Sequence, residues 1–181
     1  MEMTQADLLE ILEALDQTGV DYWLDGGWGV DALVGEQTRT HANLDLEVDI
    51  DHVPRMCDAL ARRGIRHVRG DLASNFVLGD GERLEVDVHP VRFDEAGNGN
   101  YRMENGEDWV FPAEGFTGVG RVGSRTVRCL SPDVQMVDHT TGYEPGPTDF
   151  HDMWLLHDRL GTRLLPPYDA SRSAPRRSAD T

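Results

Sequence analysis

Two short segments of the sequence carry acidic side chains at strand spacing. In RTHANLDLEVD, residues 39–49, Asn43, Asp45, Glu47 and Asp49 alternate with Leu44, Leu46 and Val48. In LEVDVHP, residues 84–90, Glu85, Asp87 and His89 alternate with Leu84, Val86 and Val88. Side chains two positions apart on a strand leave from the same face, so each segment predicts a strand with one apolar and one polar face. Most polar faces are plain solvent-facing surface. If the two strands are neighbours, however, Asp45 and Asp87 can reach a common cation, the way hard divalent metals are held by oxygen donors. Carboxylates that close repel strongly at low effective dielectric unless a cation lies between them.

Two further features converge on the same chemistry. Gly26-Gly27 falls between a predicted strand, VDYWLD, and a predicted short helix, WGVDALVG. Glycines at such a junction let backbone N–H groups approach a phosphate, and the helix dipole favours an anion there. Arg39 and His41 immediately precede the first acidic strand and are placed to meet the phosphates that the metal also touches. Together these residues predict a metal-dependent phosphoryl or nucleotidyl transfer site, with Glu47 as a further donor on the Asp45 face. The pairs His151-Asp152 and His157-Asp158 lack a matching cluster elsewhere, and the tryptophans at 23, 28, 109 and 154 read as packing residues. No Ser-His-Asp arrangement or Walker-type loop is legible.

The elements that must position these residues follow from periodicity and turn chemistry. Thr4 caps a first helix with Asp7 three positions on and an apolar stripe of Leu8, Ile11, Leu12 and Leu15. A helix over about Val53 to Arg63 follows the strand at 43–50. Two hairpins are predicted, one in NFVLGDGERLEVDVHPV and one in GRVGSRTVRCL with Gly-Ser at its turn. The segment 94–108 lacks periodicity and predicts a loop. Ser131-Pro132 opens a helix to about His139, and Thr148 opens a last one closed by Gly161. The order predicts an α+β fold around a small mixed sheet, with one domain over residues 1–165 and a disordered Pro-, Ser-, Arg- and Asp-rich tail over 166–181.

The composition narrows the partners. Of 181 residues, 39% are hydrophobic and 28% charged, enough for a real core in a single domain. Thirty-three acidic against seventeen basic residues give a formal charge of −16, which disfavours nucleic acid and anionic membranes and favours a cationic substrate. Cys57 and Cys129 match no metal spacing and are expected as reduced, buried thiols. No apolar run approaches a membrane span and no signal peptide is visible, so a cytoplasmic protein is expected. The sequence leaves open whether chains pair as a homodimer.

The quoted segments, DGGWGVDALVGEQTRTHANLDLEVD, EVDVHPV and VDHTTGYEPGPTDFHDMWLL, resemble the small nucleotidyltransferases that modify lincosamide and aminoglycoside antibiotics, over roughly residues 5–165. The resemblance implies the nucleotidyltransferase fold, a mixed sheet flanked by helices with helices added C-terminally. It implies Mg²⁺-dependent transfer of AMP, or another NMP, from ATP or another nucleoside triphosphate to a hydroxyl of an amine-bearing acceptor. Gly26, Gly27 and Trp28 match the turn that holds the triphosphate tail, Asp45 the second carboxylate of the family's Asp-x-Asp pair, and Asp87 its third acidic residue, which binds metal or takes the hydroxyl proton. The first carboxylate of the pair falls on Asn43, a neutral oxygen donor. Two other readings remain: a nucleotide- or antibiotic-binding protein without turnover, and a natural-product biosynthetic enzyme of different chemistry on the same scaffold.

Overall fold

The acidic strand LDLEVD lies at the centre of a nine-stranded mixed sheet with helices packed on it. The computed structural model describes residues 2–103, 105–141 and 143–172. In chain order, helix α1 (Gln5–Asp16) precedes strand β1 (Tyr22–Asp25), which runs straight into helix α2 (Gly26–Val34) and then strand β2 (Leu44–Asp49). Helix α3 (Val53–Ala61) follows, then strands β3 (Arg66–Gly70), β4 (Phe76–Gly79), β5 (Glu85–Phe93), β6 (Gly99–Arg102), β7 (Asp108–Phe111), β8 (Gly118–Val122) and β9 (Arg125–Cys129). Helices α4 (Pro132–Asp138), α5 (Pro147–Leu160) and α6 (Tyr168–Arg172) close the described chain. The sheet order is β3-β4-β5-β2-β1-β9-β8, with β6 pairing β5 and β7.

The alternation in the sequence becomes two unlike faces. Leu44, Leu46 and Val48 on β2 and Val86 and Val88 on β5 are fully buried in one cluster with Leu8, Ile11, Leu12 and Leu15 of α1 and Met56 and Leu60 of α3. Burying an aliphatic side chain contributes about 1.5–3 kcal/mol, so this face fixes the register of both strands. The opposite face changes character along its length. Asp45 and Asp87 lie toward one end, whereas Trp23 of β1 and Val91 of β5 sit in an aromatic cluster with Phe111, Phe93 and Phe116. Helices α4 and α5 pack on α2 through Val30, Met136, Met153 and Leu156, so that α4 and α5 contribute walls to the cleft in front of the acidic residues.

The capping box at Thr4 and Asp7 forms, with the Asp7 amide donating to Thr4 Oγ1 at 3.2 Å and the Thr4 amide donating to Asp7 Oδ2 at 2.8 Å. The second hairpin turns at Gly123-Ser124, with Val122 opposite Arg125. Three expectations need correction. The segment 94–108 is not a loop: it holds β6 and the start of β7, and the pairing of β6 with β5 and with β7, Tyr101 opposite Trp109, supplies the order that a short Gly- and Asn-containing run does not advertise. Strand β3 was not anticipated, because all five of its residues are exposed and it carries the charged, non-alternating pattern of a protected sheet edge. The tail does not begin at 166, since Tyr168 opens α6, is fully buried against α5 and donates its hydroxyl to the His139 carbonyl. Residues 173–181, and the expectation of disorder there, lie outside the described residues. Both cysteines are free thiols; Cys129 is buried as expected and Cys57 only half-buried.

Candidate active site

The register of three adjacent strands builds the site. Antiparallel pairing sets Asp25 of β1 opposite Asp45 of β2, and parallel pairing sets Asp45 beside Asp87 of β5. Neighbouring strands are about 4.8 Å apart, so three carboxylates form a row on one face. Asp45 and Asp87 therefore share a side of the sheet and are direct neighbours, as a common-cation site requires. The next row, one pleat further along, is Trp23, Glu47 and His89.

Two of the three carboxylates are held by side-chain amides. Asn43 donates its amide to Asp45 Oδ1 at 2.7 Å, which leaves its own carbonyl oxygen as a donor. Asn75, which sequence reasoning missed because it precedes β4 in a Ser-Asn turn, donates to Asp87 Oδ1 at 2.9 Å. The Gly-Gly junction is explained by what crowds it. Gly26 has φ +54°, and a Cβ there would lie 2.4 Å from Asp45 Oδ2; a Cβ on Gly27 would lie 2.1 Å from Arg39 Nη2 and 2.6 Å from His41 Nδ1. The start of α2 thus lies directly against the Asp45 carboxylate and the Arg39 guanidinium.

Arg39 reaches across to α5, where its Nε donates to Asp152 Oδ1 at 2.9 Å in a two-pronged pair. Asp152, from a His-Asp pair set aside in the sequence, fixes the one arginine among the described residues that lines the cleft at the Gly26-Gly27 turn. His41 and Trp28 behave differently from expectation. His41 is buried, with Nε2 2.6 Å from Asp31 Oδ2 and its ring 4.3 Å from that of Trp28. Thr38 donates to the other oxygen of Asp31 at 2.6 Å. Trp28 is only 2% exposed and belongs to the core. These two side chains line neither cleft at the acidic row; they brace the turn that presents Gly26, Gly27 and Arg39.

Two clefts meet at His89. The first runs between the Gly26-Gly27 turn, Arg39, Asn43 and Asp45 on one side and Asp138, His139 and Asp149 on the other. The second, the larger, is lined by Asn75, Asp87, Tyr101, Met103, Trp109 and Phe111. His89, Asp138 and Tyr143 border both. Asp45 faces only the first cleft and Asp87 only the second, so the acidic row forms the partition between them. Tyr143 comes from the TGYE segment, and its hydroxyl donates to Asp149 Oδ1 at 2.9 Å.

The buried carboxyls of the partition carry an electrostatic load that protons or a cation can relieve. Burial pushes the Asp45 carboxyl up to about 7, with the charge of His89 opposing and those of Asp87 and Asp25 adding. Burial likewise raises Glu47 well above the carboxylate range, and Asp138 is raised by burial and by Asp25. Desolvation alone would lower His89, but the hydrogen bond to Glu47 and the charges of Glu47, Asp87 and Asp25 outweigh it and hold its pKa up at about 10. The oxygen donors of Asp45, Asp87 and Asn43 fit a hard divalent ion such as Mg²⁺. Glu47 does not extend that set: it sits one pleat, about 6–7 Å, along the strand, hydrogen-bonded at 3.1 Å to His89 Nδ1. The donors that converge within 4.8 Å among the described residues are those of Asp25, Glu47 and His89.

Residues 7–156 match the family model described as aminoglycoside-2''-adenylyltransferase. A lincosamide resistance protein of Staphylococcus haemolyticus is 30% identical over 151 residues, 83% of this chain and 92% of that protein. A 2''-aminoglycoside nucleotidyltransferase of Klebsiella pneumoniae is 30% identical over 141 residues, 77% of this chain and 75% of that one. Among solved structures, a lincomycin-bound lincosamide antibiotic adenylyltransferase, LnuA, superposes with a TM-score of 0.76 at 30% identity, covering 86% of this chain and 98% of that chain. The complex of ANT(2'')-Ia with adenylyl-2''-tobramycin, at 22% identity and a TM-score of 0.66 over 88% of this chain and 91% of that one, shares the fold.

Proposed function

Because this chain belongs to the aminoglycoside-2''-adenylyltransferase family of antibiotic nucleotidyltransferases, we propose that it transfers a nucleoside monophosphate, AMP from ATP, to a hydroxyl of a small amine-bearing antibiotic. The observation that carries the assignment of roles is the partition. Asp45 faces a polar cleft with a glycine turn and an arginine, Asp87 faces an aromatic cleft, and the two carboxylates are register partners.

In this reading the triphosphate lies in the first cleft. The backbone at Gly26 and Gly27 and the Arg39 guanidinium, held by Asp152, bind its tail. Trp28 and His41 support that turn from behind. Asp45, Asp87 and the Asn43 carbonyl would hold the divalent ion, Mg²⁺, which supplies charge neutralisation and Lewis acidity toward the α-phosphate. Asp87, on the acceptor side, takes the proton from the acceptor hydroxyl. The hydroxyl oxygen then bonds to the α-phosphorus as the bond to the bridging oxygen breaks, and pyrophosphate departs.

The second cleft favours a particular acceptor within the antibiotic class. Tyr101, Met103, Trp109 and Phe111 offer apolar and aromatic walls, while Asp87 and Asp138 offer negative charge at the end near the partition. That combination suits an acceptor with one amine and an apolar body, of the lincosamide kind, better than a polycation. Neither a nucleic acid nor a membrane suits a chain of formal charge −16; no helix among the described residues is long and apolar enough to cross a membrane.

The experiment is a pyrophosphate-release assay with each nucleoside triphosphate against a panel of lincosamides and aminoglycosides, with mass spectrometry of the acceptor. The expected product is one lincosamide heavier by a single nucleoside monophosphate, formed only with divalent metal present. Folded protein that releases no pyrophosphate with any pair, yet binds an antibiotic with equal affinity with and without Mg²⁺, would instead be a sequestering protein.

A further inference from the structure

From Asp25, at one end of the acidic row, to Glu47 and His89 in the next row runs a cluster that the proposed nucleotidyl transfer leaves unused. Asp25 at the end of β1, Glu47 on β2 and His89 on β5 each offer one ligand atom, and these atoms lie within 4.8 Å of one another. Asp25 is 3% exposed and Glu47 fully buried. Two of their oxygens, Asp25 Oδ1 and Glu47 Oε2, are buried with no hydrogen-bond partner among the described residues.

The surroundings do not supply what those oxygens lack. His89 reaches Glu47 through Oε1 alone. Trp23, the third member of that row, gives its indole N–H to the Phe116 carbonyl at 2.9 Å. Arg39, which lines the first cleft, is bound to Asp152. One imidazole therefore stands among Asp25, Glu47, Asp87, whose Oδ1 lies 3.7 Å from His89 Nε2, and the nearby Asp138, and an unsatisfied buried carboxylate oxygen is costly to keep. The three donors come from the middle strands of the sheet, so their spacing is set by strand register rather than by loops.

We propose that Asp25, Glu47 and His89 form a second cation site, for a first-row divalent transition metal such as Mn²⁺ or Zn²⁺, separate from the Asp45 and Asp87 pair. An imidazole nitrogen with two carboxylates is a donor set that such metals accept and that Mg²⁺, which favours oxygen and retains its waters, takes poorly. His89 is part of the wall of both clefts, which gives an ion a route in. The site ties the floor of the partition together and is independent of which triphosphate or acceptor is used.

The test uses metal-stripped full-length protein and Mn²⁺ alone, without triphosphate or antibiotic. Equilibrium dialysis measures binding, and pulsed electron paramagnetic resonance detects a directly coordinated imidazole nitrogen. The expected result is bound Mn²⁺ with nitrogen coupling in the unmodified protein. The coupling is lost in His89→Gln and retained in Asp87→Asn and in His139→Gln, which removes the other imidazole lining the first cleft. Glu47→Gln, checked for folding by circular dichroism, loses the coupled signal as well. Absence of Mn²⁺ binding, binding without nitrogen coupling, or coupling that survives His89→Gln overturns the proposal. An inactive transferase that keeps the signal leaves this site standing, and an active one without it removes this site alone.

Discussion

Gly26→Ala tests whether the glycine turn and the Asp45 carboxylate act as one unit, and Gly35→Ala is its internal control. Both glycines have positive φ, +54° and +82°, so alanine at either carries the left-handed backbone cost of about 1–2 kcal/mol. The space around them differs. No atom lies within 4 Å of a Cβ on Gly35, whereas a Cβ on Gly26 would lie 2.4 Å from Asp45 Oδ2 and 3.0 Å from its Cγ. Gly35→Ala is therefore a strain-only change, expected to lower the melting temperature by roughly 3–8 °C for a chain of this size and to leave kcat/KM within about twofold. Gly26→Ala carries the same strain and must also move the Asp45 carboxylate by several tenths of an ångström or more, away from a hydrogen bond of 2.7 Å with Asn43. A misplacement approaching 1 Å in a positioning group costs about a hundredfold in rate, so kcat/KM should fall by roughly that factor while the melting temperature falls little further than in the control. The assays are urea and thermal unfolding beside pyrophosphate release. Equal activity in the two variants, at equal foldedness, would refute the idea that the turn is glycine because Asp45 must lie against it.

Three further outcomes follow from the same geometry. Asp87→Asn keeps the shape of the row and the Asn75 contact but removes the base, so transfer should fall by at least about a hundredfold while triphosphate binding, read by calorimetry, persists. Asn43→Asp removes the amide that donates to Asp45 and adds a like charge. It should destabilise metal-free protein by about 1–3 kcal/mol, while added Mg²⁺ raises its melting temperature by more than it raises that of the unmodified chain; equal metal responses would argue that Asn43 faces no ion. Metal-free protein should lose stability as pH rises. Asp45 binds its proton more tightly folded than unfolded, so its contribution, full below 3.8, is lost as pH climbs to about 7, and that of His89, raised from 6.5 to about 10, is lost above neutrality. The fall across the first window is on the order of a few kcal/mol, and a melting temperature that rises from pH 5 to pH 8 in chelator would contradict it.

The parts of this site that were legible in the sequence are those whose signal is local. Alternation in LDLEVD and LEVDVHP set which side chains share a face, and it holds because Leu44, Leu46, Val86 and Val88 are fully buried on the other. The adjacency of Asp45 and Asp87 was legible only as a condition, since β3 and β4 lie between their strands in sequence and the pairing of β2 with β5 is a long-range, parallel one. Asp152 was set aside, and Asn75, Asp138 and Tyr143 were given no role, because they arrive from other elements and carry no periodic mark. His41 was placed by its position before the acidic strand and Trp28 by the family resemblance, and neither signal carries depth: a turn needs a back as well as a front, and the buried His41–Asp31 pair, with the Trp28 ring against it, supplies that back.

The row Asp25, Asp45, Asp87 also explains why such a fold tolerates its own acidity. A cluster of carboxylates on a loop would relax by turning outward into water. Here each stem is pinned by a β-ladder whose far face is the main core, so turning one acid outward would require a strand to slip by a residue and expose its leucines and valines. Two methods of release remain: binding protons, which the raised values for Asp45 and Glu47 express, or binding cations. Hydrophobic burial on one side of the sheet thus holds an electrostatic load on the other, and that load is a property of the fold's register rather than of any single acidic residue.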